Sequence, residues 1–191
     1  MKRQLKIKTA DNLAPIRGEI VDKIDPNAKV IEFGCGKGDL LFDLSPKIKY
    51  GLGIDKSEGL IEHAIKYKKN QNILNLDFLC EELGENYKHY ETFDFLIASL
   101  FFHVIPQSQS VSMLIEMKQI SNNLLICAFS RPETMNQKLL LWLDQRFSGH
   151  YRNFIAYQEN GYFEGILAKT RFLNILTYNT FLPFVKIYKI S

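Results

Sequence analysis

Glycines stand at positions 34, 36 and 38, directly after the apolar run Val30-Ile31-Glu32-Phe33 and separated by Cys35 and Lys37. Glycine permits backbone angles closed to other residues and puts no side chain between the chain and a ligand, so a cofactor can lie against bare amides there. Alone, the pattern reads equally well as a tight turn. A second group gives it direction. Gly51-Leu52-Gly53-Ile54 ends in Asp55, with Lys56 beside it. A carboxylate at the end of a second strand can accept both hydrogen bonds of a ribose diol, whereas in isolation it reads as a helix-capping acid. Together the two motifs describe a nucleoside pocket far more specifically than either half.

These residues must be held by strands and helices in alternation. Helical spacing of Leu13, Ile16, Ile20 and Val21 predicts a helix over 11–23, and Pro26-Asn27 a turn. A strand at 29–33, the glycine loop and a helix at 39–44 ending near Pro46 follow. The unit repeats with a strand at 50–54 and a helix that Ser57 can cap, running towards Lys69. Strands are expected at 73–79, 93–100 and 123–129, the apolar 93–100 being central, with helices at 108–117 and 133–147. The second of these shows helical spacing at Leu139, Leu140, Leu143 and Phe147. A short helix at 161–169 and strands at 172–177 and 184–190, parted by Pro183, close the pattern, and 148–161 is its least readable part. The expected architecture is α/β: a doubly wound, mostly parallel seven-stranded sheet with helices on both faces and an antiparallel C-terminal strand. No repeat or linker divides residues 1–191, which read as a single domain.

Glu32, two residues before Gly34 and followed by Gly-x-Gly-x-Gly, resembles motif I of the Rossmann-like (class I) S-adenosylmethionine-dependent methyltransferases. Phe93-Asp94-Phe95-Leu96-Ile97-Ala98-Ser99 and the following Leu100-Phe101-Phe102-His103-Val104 resemble the fourth motif of that family and the segment after it, so the likeness spans residues 30–106. A nicotinamide loop would require glycine where Asp39 stands, and a phosphate-binding loop Ser or Thr where Gly38 stands.

The resemblance implies S-adenosylmethionine as cofactor, with Glu32, Gly34, Cys35, Gly36, Gly38, Asp55 and Lys56 around it. It implies a polar residue at the end of the third strand that accepts from the adenine amine beside a backbone amide: Asp77 and Phe78, or Cys80 and Glu81 if that strand is displaced. Backbone near Ser99 and Leu100 would lie beside the methionine part, and Phe101 would wall the methyl pocket. Asp94 reads as structural. His103 is the candidate catalytic base, the alternative being a histidine that holds its loop. Arg17 reads as a partner for the cofactor carboxylate or as an exposed helix arginine. Residues 147–154 gather polar and aromatic groups where the family inserts substrate-recognition structure, so 147–161 is a candidate lid or a variable surface loop.

Several acceptors are disfavoured. Ser99-Leu100-Phe101-Phe102 departs from the Asn/Asp-Pro-Pro-Tyr/Phe of base-amine methylases, no cysteine follows proline, and no acids cluster after strand four, so no metal is expected. Direct in-line transfer to a small-molecule oxygen or nitrogen acceptor is the expectation, with a protein or RNA acceptor, or a non-catalytic binding module, as alternatives. The formal charge of +3, from 24 Lys and Arg against 21 Asp and Glu, gives no general attraction to nucleic acid. The longest apolar stretch, 95–106, is too short to cross a membrane. Basic residues 1–8 lack a signal-peptide core, and three cysteines without a CxxC pair fit neither a disulfide framework nor a zinc site, which points to the cytoplasm.

Overall fold

The computed structural model describes residues 14–83 and 92–191, so the part of the first expected helix at 11–13 lies outside the described residues. Seven strands form one sheet: β1 (Lys29–Phe33), β2 (Tyr50–Asp55), β3 (Leu76–Cys80), β4 (Phe95–Ser99), β5 (Leu124–Phe129), β6 (Ile175–Asn179) and β7 (Val185–Ile190). Their order is β3-β2-β1-β4-β5-β7-β6. The first five are parallel, while β7 runs antiparallel to both β5 and β6. Every residue of β5 is buried, and β1 and β4 are buried at all but one position. Such strands read as continuous rather than alternating apolar runs because helices cover both sheet faces.

The helices are α1 (Ala14–Val21), α2 (Asp39–Leu44), α3 (Glu58–Asn70), α4 (Gln107–Ile120), α5 (Met135–Arg146), α6 (Tyr151–Glu159) and α7 (Tyr162–Leu167). Ser57 occupies the N-cap position of α3, and Lys68 and Lys69 fall in its last turn, where cations complement the carbonyl end. Three differences from the sequence expectations matter. β3 begins three residues later than expected and ends at Cys80. The stretch 148–161 contains a full helix, α6, anchored by buried Phe154 and Tyr157. The residues with helical spacing on α5 face outward, while Leu141 and Gln145 face in. Among the described residues no helix is long and apolar enough to cross a membrane.

The sheet order reverses between β1 and β4, where the chain leaves one strand for one half of the sheet and the other strand for the other half. That switch point opens a crevice at the carboxyl ends of the strands. The glycine loop leaves β1 there, and residues 100–106 leave β4.

Candidate functional site

The glycine loop hangs from β2: the amides of Gly34 and Cys35 both donate to the Ile54 carbonyl, at 2.8 and 3.1 Å. Asp55 ties the same elements with its side chain, Oδ2 accepting from the Gly36 amide and Oδ1 from the Ser57 amide, each at 2.9 Å. The capping and ligand readings of Asp55 are therefore compatible, since each carboxylate oxygen keeps a lone pair after one bond. Phe78 supports the loop from beneath. It is buried, and its ring lies where a β-carbon on Gly38 or Gly53 would fall. A β-carbon on Gly36, by contrast, would meet nothing within 4 Å.

On the opposite wall Leu100 has φ of +51°, in the left-handed region that a leucine enters only at a cost of about 1–2 kcal/mol. Its amide is held by the Cys127 carbonyl at 2.7 Å. This kink turns the chain out of β4 so that Leu100 and Phe101 face the crevice. The Phe101 ring closes over Gly34, where any β-carbon would strike it.

The resulting cavity is about 600 Å³, within the usual size of a small-molecule site. One side is lined by Gly34, Asp55, Lys56, Ser57, Glu81 and Leu83, the other by Leu100, Phe101, Val104, Ile105, Met113 and Asn153, with Gln109 and His150 adding polar groups. Cys35 is buried and Gly36 borders open space in the same loop, neither of them lining the cavity, and Ser99 precedes the lining at the end of β4. Asn153 donates to the Val104 carbonyl at 2.6 Å and so fastens α6 to the segment after β4. Of the two expected adenine sites, Glu81 lines the cavity and Cys80 lies just before it. Asp77 does not line it: it is exposed within β3, accepting from Tyr50 at 3.1 Å and Lys68 at 2.8 Å. Arg17 pairs with Asp43 at 2.7 Å. Asp94 accepts the Lys29 amide at 2.7 Å, a structural bond. Sequence reading did not single out Gln109 or Leu83 for the cavity, and it treated His150 only as part of a loop.

Glu32 is buried, and its Oε2 has no hydrogen-bond partner among the described residues. Burial, reinforced by the charges of Asp39 and Asp55 and opposed by Arg17, raises its pKa well above the ordinary value. Glu32 does not line the cavity: it lies within β1 behind the glycine loop.

His103 is placed elsewhere. It is 8% exposed and packs edge-on against Phe129, ring centroids 4.7 Å apart, with Phe154 and Tyr157 close by. It does not line the cavity. Burial, with a smaller contribution from His150, lowers its pKa from 6.5 to about 3. The unfolded chain therefore takes up a proton that the folded chain refuses as pH falls from about 6.5 towards 3, and stability drops over that window by up to about 1.4 kcal/mol per pH unit. Above the window this penalty is absent. His103→Phe is expected to flatten the decline, read as urea midpoints from pH 7 to pH 4; an unchanged slope would mean that the ring titrates freely in the folded chain.

A family model described as a methyltransferase domain matches residues 24–179. Among solved structures the chain is similar to a SAM dependent methyltransferase from Aquifex aeolicus, with a TM-score of 0.66 and 17% identity over 91% of this chain and 88% of that one. It is similar to magnesium protoporphyrin IX methyltransferase from Synechocystis PCC 6803 with bound SAH, with a TM-score of 0.64 and 17% identity over 94% of this chain and 81% of that one. A protein from Pyrococcus horikoshii OT3 gives a TM-score of 0.72 at 14% identity, over 95% and 90% of the two chains. No curated protein sequence matches. At such identities the structural likeness is one of fold.

Proposed function

This chain belongs to the methyltransferase domain family, and on that premise we propose that its cavity binds S-adenosylmethionine and presents the methyl group to a small-molecule oxygen or nitrogen acceptor beneath α6. The observation that carries the cofactor half is Asp55, which lines the cavity while its two oxygens are fixed by the Gly36 and Ser57 amides. A carboxylate so oriented is preorganised for a ribose diol, because its rotamer is set before the ligand arrives. We assign the adenine amine to Glu81, which directly follows β3 and lines the same cavity. Glu32 supplies a hydrogen-bonding group behind the loop, in keeping with its unpartnered Oε2.

When bound, the cofactor supplies an electrophilic methyl group on a sulfonium, so the reaction calls for in-line positioning and desolvation rather than a protein nucleophile. Phe101, Leu100, Val104 and Met113 exclude water from the centre of the cavity. Gln109 and Asn153 offer hydrogen bonds that orient an acceptor. His150 is the imidazole that lines the cavity and can take the acceptor's proton, the role that the sequence suggested for His103.

Calorimetric titration with S-adenosylmethionine, against NADH and NADPH, tests the cofactor half, and transfer of a labelled methyl group to candidate small molecules tests the acceptor half. Selective nicotinamide binding would replace the reading with an oxidoreductase. Once an acceptor is found, His150→Ala is expected to lower kcat/KM by about a hundredfold while leaving cofactor affinity within a few fold. Full turnover by that variant would leave no base assigned in the cavity.

A further inference from the structure

Helix α5 turns its apolar side outward. Met135 is 75% exposed, Leu139 55%, Leu140 57%, Trp142 42%, Leu143 47% and Phe147, just past its end, 86%. At about 100° per residue these positions fall in an arc of roughly 160° opposite buried Leu141. Leu74 and Leu173 are more exposed still, but neither lies on a helix. Five on one helix face, with Phe147 directly after it, form an apolar patch of the kind that marks an interaction surface.

The helix does not need that face to form. Thr134 and Gln137 make a reciprocal capping box at its start. The Trp142 indole donates to the Tyr151 hydroxyl at 3.1 Å, so α5 is held against α6 in a fixed orientation. Beside its first half runs an apolar groove of about 290 Å³, bounded by Met135, Leu139 and Trp142 on α5 and by Phe154, Gln158 and Tyr162.

We propose that α5 and this groove form the interface of an isologous homodimer, in which two copies of the chain pack their α5 helices antiparallel across a two-fold axis. The groove runs beside the first two turns of α5 and the most protruding ring, Phe147, lies past its end, about 12 Å from the middle of the groove along the axis. Antiparallel pairing brings Phe147 of each copy to the groove of the other, so one patch is complementary to itself, as a two-fold axis requires. Complete covering of these six residues in both copies would bury at most about 1,400 Å², within the range of stable specific interfaces. Trp142, at the edge of the arc beside the groove, is a residue type that often anchors binding energy. The charges of α5 argue against an anionic membrane as occupant. Lys138 and Arg146 against Asp144 leave α5 with a net charge of only +1, and the Arg146 guanidinium lies 5.1 Å over the Tyr151 ring, so the helix lacks the cationic cluster by which membrane-surface helices hold anionic lipid.

The proposal does not depend on the cofactor or the acceptor. Sedimentation equilibrium over a micromolar concentration series should give a dimer, with the emission of the lone tryptophan, Trp142, shifting to the blue as the dimer forms. Leu139→Glu with Leu143→Glu should weaken dimerisation at least a hundredfold while circular dichroism and S-adenosylmethionine affinity stay at wild-type values. Phe147→Ser, outside the helix, should weaken it about tenfold and guards against misfolding of the double variant. A wild-type chain that is monomeric at about 100 μM, or a dimer indifferent to both sets of changes, overturns the proposal. So does a monomer that co-sediments with phosphatidylglycerol vesicles, which would assign the face to lipid.

Discussion

Asp55→Ala is expected to weaken S-adenosylmethionine binding by a hundredfold or more, about 2.7 kcal/mol. Hydrogen bonds to a charged group contribute roughly 1.5–3 kcal/mol each, and the proposed diol makes two. The substitution also frees the Gly36 and Ser57 amides from the 2.9 Å bonds that fix the loop to the start of α3. Asp55→Asn keeps one acceptor oxygen and should fall between, near tenfold. Calorimetric titration reads both, with urea unfolding in parallel to separate a lost contact from a loosened loop. Wild-type affinity in Asp55→Ala would remove the support for a nucleoside in this cavity.

Two glycines in the same loop should respond in opposite ways. Gly38 has φ of +80°, and a β-carbon there would stand 2.6 and 2.7 Å from atoms of the Phe78 ring and 3.2 Å from Phe42. Left-handed strain of about 1–2 kcal/mol and overpacking of about 1–3 kcal/mol give an expected loss of roughly 2–5 kcal/mol for Gly38→Ala. Gly36, with φ of +54° and open space beside it, carries only the first cost. Gly36→Ala should therefore fold with a modestly lower urea midpoint, yet bind cofactor at least tenfold more weakly because its methyl enters the ligand's space. The reverse order, with Gly36→Ala unfolded and Gly38→Ala stable, would contradict the packing described.

The sheet was legible because β1, β2, β4 and β5 are continuous apolar runs with glycine or polar exits, and such runs have few alternative conformations. The meeting of the Gly34–Gly38 loop with Asp55 at the crevice was legible for a related reason: it depends on residue types that only a few backbone settings require. What was hidden depends on distance. Ile73-Leu74-Asn75 has strand composition but precedes the strand, since pairing with Gly51–Asp55 begins at Leu76, and this shift decides that Glu81 rather than Asp77 meets the cavity. His103 and His150 are equivalent imidazoles in a sequence. They are distinguished by Phe129, Phe154 and Tyr157, which close around the first. The spacing on α5 indicated a helix but not that its apolar stripe turns outward, because periodicity reports a stripe and says nothing of what covers it.

The position of β7 between β5 and β6 bears on how the chain is made. Synthesis proceeds in sequence order, so β1 to β5 emerge and can pair while the outer edge of β5 still has no neighbour. That edge, Leu124–Phe129, is entirely apolar and becomes an interior strand only once Val185–Ile190 has left the ribosome and inserted beside it. For the time needed to translate some 55 residues, at about 5–20 residues per second, the nascent sheet shows its most aggregation-prone backbone to the cell, and chaperones that recognise extended apolar segments have a defined interval in which to hold it.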